Sequence, residues 1–153
     1  MKKAVSIDII SKQYKIEGDF FAEQDSEEEQ TIEISTDGEL SLENGTFLIS
    51  YDESELTGMQ GAHTVLEFAK ETPEEVTMTR SGSASTSMIF KENARYMSTY
   101  ETGIFPLEMC VSTKSVENSV SENGGVIVID YTVEIHGVCM ERTYLTVTVK
   151  ELQ

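Results

Sequence analysis

The sequence is poor in basic residues, has no tryptophan and contains two cysteines. Its 28 acidic residues outnumber 11 lysines and arginines and give a formal net charge of −17. A field of that sign repels nucleic-acid phosphates and anionic membrane surfaces, so we expect neither a nucleic-acid partner nor a membrane partner. The acidic surface is expected either to keep the protein soluble or to attract a basic protein partner.

Long apolar runs are also missing from the chain. No segment approaches the ~20 apolar residues that a membrane-spanning helix requires. The residues that follow Met1-Lys2-Lys3 alternate in polarity, unlike the apolar block of a signal peptide. We therefore expect a cytoplasmic protein in which Cys110 and Cys139 are free thiols, with a disulfide as the less favoured alternative.

The sequence is instead rich in short runs that alternate apolar and polar residues, a period of two that is typical of half-buried antiparallel strands. Four such runs occupy residues 75–113, with Ser-Gly, Glu-Asn and Thr-Gly between them. Apolar positions in three of these runs are Val76 and Met78, then Ala84, Met88 and Phe90, then Phe105, Leu107, Met109 and Val111. The same pattern before and after this stretch predicts an all-β chain with about nine to eleven strands and little helix.

Short turns join nearly all of these runs, which favours an up-and-down antiparallel sheet. A sheet of so many strands removes its exposed edges by closing on itself. We therefore predict one domain over residues 1–153, a closed or nearly closed β-barrel in which the last strand pairs with the first. A two-sheet sandwich is the alternative. The acidic segment 18–30 is predicted to be a solvated, mobile loop, because its like charges repel one another.

Three local features refine this prediction. Asn44-Gly45 predicts a two-residue hairpin turn, since both residue types accept positive φ. Asp37-Gly38 is interpreted as a second turn between two short strands. The apolar phase changes between Ile9 and Ile10, and this change predicts a bulge or a bend in the first strand.

A series of short runs in the middle and later parts of the chain is informative through its order and spacing: Leu48–Glu53, Leu56–Gly58, Val76–Gly82, Tyr100–Gly103, Thr113–Val116 and Ile129–Tyr131. This series resembles the YwiB-like family of small, uncharacterised bacterial proteins, described as a domain of unknown function. The likeness spans about Thr46 to Val149, and residues 1–45 match only as strands. The resemblance implies a calycin-type, lipocalin-like β-barrel and implies no activity. An apolar small-molecule pocket is suggested only by analogy with lipocalins.

Arg80 is the most informative single residue. It shares strand parity with Met78, so its guanidinium is expected on the inner face, where a buried charge needs partners. It either closes one end of the barrel against backbone carbonyls or an acid such as Glu53 or Glu55, or it anchors an anionic ligand through its bidentate fork. A register slip at Ser81-Gly82 would instead leave Arg80 exposed.

Other side chains of the predicted interior supply the rest of a candidate ligand site. Tyrosine hydroxyls can donate hydrogen bonds there, although strand tyrosines are commonly core residues. Methionine thioethers suit varied apolar ligands, and they also fill irregular cores. The candidate ligand-binding residues are Arg80, Tyr51, Met78, Met88, Tyr100, Phe105, Met109 and Tyr131.

No pattern in the sequence favours a catalytic or metal site. His63 and His136 stand at strand ends without further ligands at metal-binding spacing, so neither a metal nor a cofactor is expected. There is no nucleophile-elbow motif, and Cys110 has no cation near it in the sequence to activate it. We predict a non-catalytic barrel that binds a small apolar or anionic molecule near Arg80. The alternative is a protein-interaction module with a filled barrel and an acidic outer surface. The oligomeric state, monomer or dimer, stays open.

Overall fold

The computed structural model describes residues 1–16, 29–52, 62–82, 85–101, 106–135 and 139–152, and for residues 15, 16, 29, 100, 101, 139 and 140 only the backbone. Every element in these ranges is a strand, and the described part contains no helix. The strands are β1 (Lys2–Ile16), β2 (Glu29–Glu43), β3 (Thr46–Asp52), β4 (His63–Ala69), β5 (Glu75–Ser81), β6 (Thr86–Lys91), β7 (Arg95–Glu101), β8 (Pro106–Asn118), β9 (Gly124–Ile135) and β10 (Cys139–Glu151). Among the described residues no helix is long and apolar enough to cross a membrane.

The ten strands form one antiparallel sheet in the order β6-β5-β4-β3-β2-β1-β10-β9-β8-β7. Except for β6 and β7, consecutive strands are hydrogen-bonded neighbours. Strand β1 pairs with β10 from Val5 opposite Glu151 to Ile16 opposite Met140. The predicted up-and-down barrel with its first and last strands paired is therefore confirmed, and it is consistent with the calycin-type barrel that the resemblance implies.

The barrel is nearly but not completely closed, and the discontinuity lies between β6 and β7. These two strands end the sheet, and in the described part of the chain no ladder of hydrogen bonds joins them. They contact each other, and β6 also contacts β8. Backbone bonds from Asn93 N to Thr113 O, 2.9 Å, and from Thr113 N to Ala94 O, 3.1 Å, fasten the connecting turn to β8. We call the boundary between Thr86–Lys91 and Arg95–Glu101 the seam.

Inward positions fill the centre of the barrel with apolar side chains. In β3, for example, every second residue is buried, as a period of two requires. Aromatic pairs add contacts across the interior: Phe47 stacks on Phe68 with ring centroids 5.2 Å apart. The largest side chains with under 2% exposure include Phe90, Ile7, Leu40, Ile49, Leu66 and Met78.

Two of the three local predictions are wrong, and both errors concern long strands. The Asp37-Gly38 turn does not exist: β2 is continuous through these residues, and Gly38 lies opposite Val5 on one side and Tyr51 on the other. Glycine is needed there because a Cβ would overlap the Ile7 side chain and the Ser50 carbonyl.

The bulge at Ile9-Ile10 is also absent. The register of β1 with both neighbours is unbroken, Ile9 is buried, and Ile10 is 36% exposed while Ser11 occupies the next inward position. The third prediction is confirmed, since Asn44 and Gly45 have φ of 52° and 77°, the values of a tight hairpin turn.

Other predictions fall outside what the structure describes. They concern residues 18–28 of the acidic segment, the acids Glu53 and Glu55, Phe105 and His136. Residues 29 and 30 of the acidic segment belong to β2. These predictions stay predictions.

Candidate functional site

At one end of the barrel the inward positions change from apolar to polar. Four of them lie side by side across β3 to β6: Tyr51 opposite Thr64, Thr64 opposite Arg80, and Arg80 opposite Thr86. Tyr51, Thr64 and Thr86 are buried, with at most 6% exposure, and Arg80 is half-buried. Polar groups at this end are therefore enclosed by the barrel wall.

The opposite wall contributes further polar residues at the same end. Thr143 of β10 pairs with Tyr131 of β9, and Ser11 of β1 points inward nearby. Gln13 Nε2 donates a hydrogen bond of 3.3 Å to Ser11 Oγ. The set of Ser11, Tyr51, Thr64, Arg80, Thr86, Tyr131 and Thr143 is called the polar layer below.

Tyr131 connects the polar layer electrostatically. Burial raises the pKa of Tyr131, because the low-dielectric interior disfavours the phenolate. The positive charge of Arg80 and a hydrogen bond with Thr143 oppose this rise, and the negative charge of Glu141 adds to it. The phenol is therefore protonated at neutral pH and can donate a hydrogen bond. Its ring packs on Phe90 at a centroid distance of 4.6 Å and an interplanar angle of 50°.

The structure divides the predicted ligand-binding residues between two environments. Arg80, Tyr51 and Tyr131 belong to the polar layer, as parity predicts for the inner face. The methionines belong to the filled apolar core, with exposures of 1% for Met78 and 4% for each of Met88 and Met109. Of Tyr100 only the backbone in β7 is described, and Phe105 lies outside the described residues. The pairing of β4 with β5 continues from Glu67 opposite Thr77 to His63 opposite Ser81, so no register slip moves Arg80 outward.

A cleft of about 420 Å³ lies at the opposite end of the barrel. It is lined by Phe47, Phe68, Lys70, Pro73 and residues 118–123. Phe47 and Phe68 are only 3% and 2% exposed, so they offer a ligand little apolar surface. Asn118 Nδ2 donates to the Pro73 carbonyl at 3.0 Å and fixes the two sides of the cleft to each other. This cleft is not the cavity expected near Arg80.

Metal ligands do not converge in the described part of the chain. No group of three or more His, Cys, Asp or Glu residues that could hold a metal ion occurs there. His63 Nδ1 lies 3.0 Å from Asp52 Oδ1 at the exposed ends of β3 and β4. These two residues alone are fewer than the three or four protein ligands of a typical zinc site.

A family model described as a domain of unknown function, DUF1934, matches residues 15–147. The chain belongs to this family. The match confirms the predicted resemblance, and the family description assigns no activity. The structure is also similar to the crystal structure of ywiB protein from Bacillus subtilis, with 21% sequence identity and a TM-score of 0.73, covering 96% of this chain and 92% of that one. At this identity the likeness establishes the fold alone. No curated protein matches the sequence.

In this DUF1934 protein the sequence reasoning missed several residues of the polar layer. The missed ones are Ser11, Thr64, Thr86 and Thr143, with exposures from 0% to 9%. A signal for them was present, because each shares strand parity with buried apolar residues two positions away. Serine and threonine at inward positions are informative, because their buried hydroxyls need hydrogen-bond partners.

No cation is near Cys110 in the sequence, but the pairing of β7 with β8 brings one to it. Cys110 points to the outer face of β8, where Arg95 of β7 donates from Nε to its Sγ at 2.7 Å. Arg95 also reaches Glu134 at 3.2 Å. The interactions with Cys110 and Glu134 raise the pKa of Arg95. The thiol is 5% exposed and free, beneath the arginine.

Proposed function

We propose that this protein binds a small amphipathic anion, most simply a carboxylate with an apolar chain, at the polar layer. One observation carries the proposal: Arg80 points into the barrel end among buried hydroxyls and lies close enough to act on the buried Tyr131. The proposal assigns no catalytic step to these residues. It places the protein in the cytoplasm and gives it a small-molecule partner, with no nucleic acid or membrane.

The chemistry of the layer suits a carboxylate. A guanidinium presents paired N–H donors that match the two carboxylate oxygens, and a charge-assisted bond of this kind is stronger than a neutral one. Tyr131 retains its proton and can donate as well. The hydroxyl of Thr86, directly opposite Arg80, is buried and has no hydrogen-bond partner among the described residues. An anion at this point would join the interactions that Arg80 already makes.

The packed core limits where the apolar part of the ligand can lie. Met78 and Met88 occupy the inward positions immediately below Arg80 and Thr86. Methionine is unbranched and adapts its shape readily, so these two side chains can move aside for an apolar chain at low cost. The ligand would therefore lie at the polar end and extend toward the methionines.

Dodecanoate is the probe that tests this function, with binding measured by calorimetry at pH 7. We expect Arg80→Gln to weaken binding roughly 10- to 100-fold, the range for a lost charge-assisted hydrogen bond. Lys12→Gln is the matched control, because it removes one positive charge from an exposed position next to Ser11. If both variants lose the same binding affinity, the loss is due to net charge alone, and a binding site at Arg80 is rejected. Native mass spectrometry of protein from its own host then shows whether a ligand co-purifies.

The filled core favours a second function, that of a protein-interaction module acting through the acidic surface. Large side chains with under 2% exposure occupy the barrel centre, as such a module allows. In that case dodecanoate would not bind, and the protein from its host would carry a protein partner that dissociates as salt screens the attraction. The same mass spectra, recorded from solutions of low and high ionic strength, distinguish the two functions.

A further inference from the structure

Three buried hydroxyls without partners gather around the seam of the barrel. In the described residues, the buried side-chain polar atoms that make no hydrogen bond are Thr86 Oγ1, Ser98 Oγ and Thr113 Oγ1. They belong to β6, β7 and β8, the three strands that meet at the seam. All three residues take inward positions, since Ser98 lies opposite the buried Met109 and Thr113 lies opposite the buried Tyr131.

A buried hydroxyl that lacks a partner is costly, so its presence calls for a physical reason. A trapped water molecule is one reason and a ligand group is another. The spacing of the hydroxyls favours an elongated ligand. Ser98 lies opposite Met109, and Met109 is four residues from Thr113 on β8. Four residues of strand span about 13 Å. Thr86 adjoins Arg80 and Thr113 adjoins Tyr131, so the hydroxyls along the seam connect two parts of the polar layer.

Among the described residues, the seam is the boundary of the barrel wall that no ladder of hydrogen bonds closes. Every other pair of neighbouring strands is joined by a ladder, including β1 with β10. Separation of β6 from β7 breaks no ladder bond among the described residues. Bonds between Thr113 and the turn at residues 93–94 hold one end of the seam. The other end, toward Thr86, is the end with the polar layer.

We propose that the ligand of the Arg80 site lies along the inner side of the seam and that its chain carries hydroxyl or amide groups. This proposal rests on the proposed function and narrows its ligand class. Thr86 and Ser98 would bind a polar group near the carboxylate. Thr113 would bind one farther along the chain. A plain alkyl carboxylate would leave these hydroxyls unpaired and would therefore bind less tightly.

The test compares dodecanoate with 3-hydroxydodecanoate and 12-hydroxydodecanoate on the full chain. We expect the wild-type protein to bind at least one of the hydroxylated probes about 5- to 10-fold more tightly, the range of one additional hydrogen bond. The triple variant Thr86→Val, Ser98→Ala, Thr113→Val should lose this preference while its Tm stays equal or rises, because orphaned polar groups are removed. Thr99→Val, at an exposed outward position of β7, is the control and should keep the preference.

The outcomes separate this inference from the function on which it rests. Equal binding of all three probes to the wild-type protein, or a preference that persists in the triple variant, overturns the inference and leaves the Arg80 site intact. Failure of all three probes to bind rejects the proposed function itself. If the triple variant does not fold, the three single variants give the same comparison, since each removes one hydroxyl with little change of volume.

Discussion

Replacement of Gly38 by alanine should destabilise the barrel strongly, although Gly38 follows an aspartate in what resembles a turn. A Cβ at this position would overlap both the Ile7 side chain and the Ser50 carbonyl, and it would lie 3.3 Å from Tyr51 Cβ. The Ile7 side chain can rotate, but the Ser50 carbonyl belongs to the backbone of β3, paired with β2. We expect a loss of about 3 kcal/mol, the upper part of the range for overpacking. For a chain of this length, that loss lowers Tm by about 6–12 °C.

A double-mutant cycle with Ile7→Val tests the cause of this loss. Ile7→Val alone removes the Cδ1 methyl and should cost about 1 kcal/mol. In the Gly38→Ala background the same change should cost almost nothing, because it relieves one of the two overlaps, so the coupling is about 1 kcal/mol. Urea unfolding followed by circular dichroism measures all four proteins.

Gly45→Ala is the matched control for this cycle. Gly45 has φ of +77°, and no atom lies within 4 Å of the position that a Cβ would take. Its replacement should therefore cost about 1 kcal/mol through backbone strain alone. It should show no coupling to Ile7→Val. If Gly38→Ala is as stable as the wild type, or if its effect simply adds to that of Ile7→Val, Gly38 does not make these close contacts. That result would contradict a continuous β2 strand and would favour a turn at Asp37-Gly38.

Two further predictions concern buried polar groups. The pKa of Tyr131 is raised above its value of about 10 in the unfolded chain, so the folded protein holds this proton more tightly. The free energy of unfolding should therefore fall above pH ~10, by up to about 1.4 kcal/mol per pH unit. Urea unfolding between pH 8 and 11.5 should show this slope in the exposed-site control Tyr144→Phe and not in Tyr131→Phe; an unchanged slope in Tyr131→Phe contradicts the assignment. Arg142 donates two hydrogen bonds of 3.0 and 2.8 Å to the carboxylate of the buried Asp130. Arg142→Ala should cost about 2 kcal/mol of stability. This is below the usual loss for a broken buried ion pair, because Arg142 is half-exposed and water can replace it. Lys2→Ala, which breaks an exposed pair, should cost under about 0.5 kcal/mol. Urea unfolding measures both variants, and equal losses in the two would contradict this reasoning.

The sequence predicted the strands and the barrel because alternation with a period of two is a local property. Asn44-Gly45 was interpreted correctly for the same reason, since a two-residue turn depends on the φ preferences of its own residues. Asp37-Gly38 has the same local signature with a different cause. The glycine there makes room for Ile7 and Ser50, which belong to the two neighbouring strands. A dipeptide cannot distinguish these two uses of glycine.

The candidate site was predicted in part. The inward direction of Arg80 followed from its parity with Met78. The partners of Arg80 could not be predicted, because Tyr131 lies on β9, which is not adjacent to β5 in the sheet. Cys110 gives a parallel case, since its contact with Arg95 depends on the register between β7 and β8.

For this protein, the sequence by itself determined which face of most strands is turned inward, an all-β chain of about nine to eleven strands, and the expectation that the first strand pairs with the last. Each of these follows from local alternation and from short connections. The tertiary structure decided that no ladder joins β6 to β7 in the described part of the chain and that polar side chains from both walls meet at one end. Those features depend on the twist and register accumulated over ten strands, and on contacts across the barrel between residues far apart in the chain.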